Sequence, residues 1–157
     1  MTTDLRRVLV AAAIGLLLLA LVLYVRRSGA PSIVADPILT PGVLNAAVTQ
    51  ATIRSTICRR GWTRTVRPPT DYTNALKHTQ MRVYHEHGPP SAFQEDHLIS
   101  LELGGDPTDP RNLWPEPYPR ASEVDRIENE LNARVCSGGL SLSDAQVKEA
   151  RLKHAEG

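Results

Sequence analysis

The stretch from Glu95 to Gly105, Glu-Asp-His-Leu-Ile-Ser-Leu-Glu-Leu-Gly-Gly, constrains the fold more than any other part of this chain. An acidic residue beside a histidine, Asp96-His97, opens an apolar run that reads as a strand over residues 95–103. Gly104-Gly105 closes it, because paired glycines mark a turn. Residues 104–111 form a turn-rich connection, and Asn112-Leu113-Trp114 reads as a short second strand. The prolines at 115, 117 and 119 are expected to prevent regular structure beyond it.

Helices are expected on both sides of this unit. Asn45 is a plausible N-cap for a helix running to Ile57, and residues 61–69 read as extended up to Pro68-Pro69. Tyr72, Leu76 and Val83 fit one stripe of a helix over residues 73–84. Val124, Ile127, Leu131 and Val135 recur at helical spacing over residues 122–136, and Ser137-Gly138-Gly139 stops that helix. A last helix starts with Ser143 and Gln146 as a capping box and Leu142 with Val147 as a hydrophobic staple. The expected class is therefore α+β, with a small domain over residues 45–157. The chain contains a single Phe, so its core must rest on Leu, Val, Ile and Ala.

The N-terminal end carries a different signal. After a short tail, residues 1–7, the run over residues 8–25 is apolar without interruption and is flanked by Arg6-Arg7 and Arg26-Arg27. About eighteen residues at about 1.5 Å each span roughly 27 Å, enough for a bilayer's hydrocarbon core. A transmembrane signal anchor is expected there, followed by a proline-containing linker over residues 26–44. The C-terminal domain would then lie outside the cytoplasm, or be secreted if the segment is a cleaved signal peptide. Two cysteines, Cys58 and Cys136, suit an exported domain with one disulfide, the alternative being two unrelated buried thiols. No CxxC pair occurs, which excludes the usual zinc patterns.

The combination of Asp96-His97, Gly104-Gly105 and Asn112-Leu113 resembles the HNH, or ββα-metal, nucleases. The similarity extends over residues 48–146 to a group of small bacterial HNH-like domains. Its landmarks are TIC and GWTRTVRPP (56–69), YTNALK (72–77), DHLISLELGG, NLWPEP, DRIENEL (125–131) and VCSGGLSLSDAQ (135–146). The resemblance implies a metal-dependent endonuclease acting on nucleic acid, DNA more than RNA. Asp96 would ligate the metal, His97 would activate water as general base, and Asn112 would hold the hairpin. Such nucleases place a His or Asn on the following helix, where this chain has Ala121. Asp125 and Glu128, one turn apart, are the substitutes, and carboxylates suit Mg²⁺ or Mn²⁺.

Each residue also has a plainer reading. His97 can be a structural strand residue, and Ser122-x-x-Asp125 is itself a capping pattern. His85-Glu86-His87 reads as an exposed loop more readily than as a metal site, and Glu102 reads as solvated. The net charge of +1 provides no global basic field. Arg54, Arg59, Arg60, Arg64 and Arg67, however, fall in a stretch without any acid. Arg64 and Arg67 are the candidate phosphate contacts, while Trp62 fits the core better than a base-stacking role. The rival expectation is a catalytically inactive membrane-anchored domain that binds nucleic acid or serves a structural role in the envelope.

Overall fold

A computed structural model describes residues 13–18 and 34–155 of the chain. Among the described residues no helix is long and apolar enough to cross a membrane. The transmembrane helix expected over residues 8–25, and the single-pass membrane localisation built on it, are corrected on that finding. Of that run only residues 13–18 are described. They are helical, but six residues at about 1.5 Å each reach roughly 9 Å against a hydrocarbon core of about 30 Å. The rest of the run lies outside the described residues.

The domain contains α1 (Trp62–Val66), α2 (Thr70–Val83), β1 (Phe93–His97), β2 (Leu113–Pro117), α3 (Arg120–Ser137) and α4 (Leu142–Ala155). The strands pair antiparallel in one two-stranded sheet, with His97 opposite Leu113 and Phe93 opposite Pro117. β2 runs through Pro115 and Pro117, where no regular structure was expected. The register explains why they are tolerated. Leu98 N–H donates to Asn112 O and Tyr118 N–H donates to Ala92 O, so hydrogen-bonded pairs alternate between these two ends. Pro115 and Pro117 fall on the intervening non-bonded pairs, where a missing N–H costs the ladder nothing.

β1 ends six residues earlier than the strand expected over 95–103. Beyond His97 the chain bends into a short 3₁₀ turn, Leu101–Leu103, and Gly104 leaves it with φ +80°. A side chain at Gly104 would strike Val48, which packs directly beneath it. Two other segments depart from expectation. Residues 45–58 form successive turns rather than a helix, because the hydroxyls of Thr52, Ser55 and Thr56 bond backbone carbonyls of Ala47 and Thr52. Such bonds compete with a helical ladder. Residues 62–66 are helical rather than extended, and only Arg67 to Pro69 continue in open conformation.

α4 is capped by Ser141 rather than Ser143. The Ser141 hydroxyl accepts from Asp144 N–H at 3.1 Å and donates to the Asp144 carboxylate at 2.7 Å. Val147 is exposed, so no staple forms with Leu142, and Gln146 instead donates to Leu103 O at 2.9 Å. Residues 34–44 run along the domain: Ala35 is fully buried, its N–H donates to Lys153 O, and Asp106 N–H donates to Val43 O.

The main core gathers Val48, Ile53, Ile57, Ile99, Leu103, Leu131, Val135, Leu142 and Ala145, with Trp62 packed against it. A disulfide joins Cys58 to Cys136 at its edge, with a Cα separation of 5.5 Å. A second, smaller cluster of Ala35, Leu98 and Trp114 lies beneath Tyr84.

Candidate metal and hydrolytic site

One side chain ties the two ends of the loop between the strands together. Asn112, fully buried, accepts from Ile99 N–H at 3.0 Å through Oδ1. Its Nδ2 donates to Ile99 O at 3.0 Å and to Asp106 O at 2.9 Å. A buried amide is satisfied only if such partners surround it, so Asn112 fixes both ends of the loop relative to β1. Gly105 sits against this arrangement, and a Cβ there would collide with the Ile99 carbonyl.

That loop presents the Pro107 carbonyl to His97, whose Nε2 lies 3.1 Å from it. A carbonyl oxygen can only accept, so Nε2 carries the proton and Nδ1 holds the free lone pair. Burial pushes the imidazole below its ordinary value, partly opposed by the Asp96 charge and the Pro107 bond. His97 is therefore neutral near pH 7. It lines a cleft of about 300 Å³ together with Arg67, Gln94, Asp96, Glu102, Asp125 and Glu128.

Asp96, Asp125 and Glu128 come together in this cleft, each offering an oxygen within 4.8 Å of the others. Asp125 and Glu128 reach it from one side of α3, and Asp96 from the end of β1. Among the described residues no other group of three or more His, Cys, Asp or Glu side chains converges this way, so His85, Glu86 and His87 form none. Arg67 lines the cleft and Arg64 does not. Neither guanidinium has a salt bridge among the described residues, the nearby acids of Arg67 being Glu102 and Asp125. Glu102, expected to be solvated, is half-buried at the cleft wall. Burial raises its carboxyl, partly opposed by Arg67.

Lys153, a residue the sequence reading passed over, occupies the centre. Its ammonium is fully buried and donates to Asp96 Oδ2 at 2.6 Å, to Glu128 Oε1 at 2.6 Å and to His97 O. Glu149, one turn earlier on α4, is 3.9 Å away and accepts from Ser100 N–H at 3.0 Å. A helical signal was present in the sequence. Leu142, Ala145, Glu149 and Lys153 lie on one face, so the charged pair continues an apolar stripe. Glu116 on β2 was passed over as well. It is fully buried beside Asp96, to whose carboxylate its carboxyl hydrogen-bonds.

Carboxyls outnumber the ammonium here. Five carboxyls, Asp96, Glu116, Asp125, Glu128 and Glu149, surround one ammonium. Burial pushes Asp96 up, but the Lys153 charge and hydrogen bonds from Glu116 and Lys153 hold it at about 2. Burial, reinforced by the Asp96 charge, pushes Glu116 to about 9. Burial also carries Glu128 to about 7 against the pull of Lys153, and raises Asp125 and Glu149. Lys153 itself is lowered by burial, yet Asp96, Glu128 and Glu149 together hold it well above the ordinary lysine value.

An all-oxygen, carboxylate-rich set fits a hard divalent cation in kind, with Lys153 already paired to Asp96 and Glu128. Asp96, Asp125 and Glu128 are the residues to hold one. No protein-family model, curated protein or solved structure matches the chain, so its function rests on this geometry.

Proposed function

We propose that the domain is a metal-dependent endonuclease of the ββα-metal type, hydrolysing phosphodiester bonds of nucleic acid, DNA in preference to RNA. The observation that carries this reading is His97: Nε2 is occupied by the Pro107 carbonyl, and the opposite nitrogen is unprotonated in a side chain lining an acidic cleft. That tautomer suits a general base. Nδ1 takes a proton from water as its oxygen attacks phosphorus, and the bond to the leaving oxygen breaks, that oxygen regaining a proton from solvent. Arg67 pairs with a phosphate oxygen of the bound strand. When bound, Mg²⁺ or Mn²⁺ at Asp96, Asp125 and Glu128 supplies positive charge against the developing charge on phosphate. Asn112 braces the loop that orients His97.

The test uses the full chain with supercoiled plasmid and single-stranded nucleic acid, in Mg²⁺, Mn²⁺ or EDTA, beside His97→Ala. Cleavage is expected only with metal, and the variant is expected to lose about 100-fold or more, the usual contribution of a general base. Equal degradation by both proteins would falsify the assignment.

A second reading, a non-catalytic binding or structural domain, is favoured by one observation. Lys153 already holds two of the three carboxylates that a metal needs. Metal-independent binding without turnover by the folded protein would support it.

A further inference from the structure

The Lys153 ammonium has three hydrogens, and all three are used: on Asp96 Oδ2, on Glu128 Oε1 and on the His97 carbonyl. Asp96 Oδ1 also accepts from Gln94 Nε2 at 3.3 Å. A divalent ion binding Asp96 and Glu128 therefore meets a resident cation on the same carboxylates, and two cations sharing them repel.

Beside the ammonium, Glu149 Oε2 is buried without a partner, as is Oγ of Ser100, whose N–H donates to Glu149. Buried polar atoms are nearly always satisfied, so an orphaned carboxyl oxygen beside a buried ammonium asks for a reason. Glu149 is 3.9 Å from the ammonium. The lysine backbone is anchored, since Ala35 N–H donates to Lys153 O at 3.0 Å. Its four-carbon stem still allows the ammonium to swing over a few ångströms.

We propose that Lys153 is a positioning residue with two seats: on Asp96 and Glu128 when the domain is metal-free, and on Glu149 when a divalent cation takes the outer carboxylates. In the first seat the ammonium holds the ligands together and keeps their charge neutralised. In the second it satisfies the orphaned Glu149 oxygen. Metal affinity is then set by the difference between the seats as well as by the ligands. The inference rests on the proposed metal site and adds the residue that regulates it.

The experiment is calorimetric titration of the full chain with Mg²⁺ and Mn²⁺, native and Glu149→Gln. It is paired with observation of the Lys153 ammonium resonance of the native protein during Mg²⁺ titration. Glu149→Gln keeps the size of the side chain and the acceptor for Ser100 but removes the charge of the second seat. Its metal affinity is expected to fall about tenfold or more, and the ammonium resonance is expected to shift saturably with metal. Unchanged affinity in the variant, or an ammonium resonance that stays fixed at saturating Mg²⁺, overturns the two-seat assignment and leaves the nuclease reading intact. Native protein that binds no metal overturns both.

Discussion

Asn112 and Glu95 show how much a single polar side chain decides here. Removing the Asn112 amide strips partners from the Ile99 N–H, the Ile99 carbonyl and the Asp106 carbonyl. Asn112→Ala is expected to cost about 3 kcal/mol, measured by denaturant unfolding, because buried backbone groups are left unpaired. Activity should fall as well, since the same loop carries the Pro107 carbonyl that sets the His97 tautomer. Glu95 acts through pH. Burial pushes its carboxyl from 4.5 to about 8, with Lys77 opposing and Asp96 reinforcing, and neither oxygen has a partner. Its folded value lies above its unfolded value, so the folded state holds the extra proton between these limits. The neutral carboxyl is accommodated at pH 4, and stability is lost as pH rises from about 4.5 towards 8. Glu95→Gln is expected to flatten that dependence and to be more stable at pH 8 by the order of 2 kcal/mol. Thermal unfolding across pH 4–8 in EDTA measures it; an unchanged slope would reject the assignment.

At the scale of elements, a two-stranded ribbon this short has little stability of its own and depends on what covers it. α3 does much of this, burying Ala121, Val124, Leu131 and Val135 while turning Asp125 and Glu128 towards Asp96. The Cys58–Cys136 disulfide ties the end of α3 to the turn segment before α1 across a separation of 78 residues. Closing so long a loop constrains the unfolded chain, so Cys58→Ser with Cys136→Ser is expected to cost up to about 4 kcal/mol. A denaturant midpoint unaffected by reduction would count against that role. Helices α2, α3 and α4 were legible because apolar spacing and glycine stops are local signals. Residues 45–58 were not, because hydroxyl-to-carbonyl bonds replaced the helical ladder expected after the Asn45 cap. The prolines of β2 misled for a related reason: whether a missing N–H matters depends on the register, which only the partner strand supplies.

Across the whole molecule, local pattern by itself determined a small α+β domain, a hairpin around Asp96-His97 and Asn112, and helices at its C-terminal end. Those features follow from side-chain periodicity and turn chemistry, which act over a few residues. The tertiary structure alone decided which carboxylates converge, and that Arg67 rather than Arg64 lines the cleft. It also decided that Lys153, 57 residues from Asp96, occupies the centre of the cluster. Charged residues on a late helix look solvated in sequence because charge normally stays in water. Burying this one is possible only because folding delivers Asp96, Glu128 and the His97 carbonyl to the same point, and no local pattern encodes that meeting.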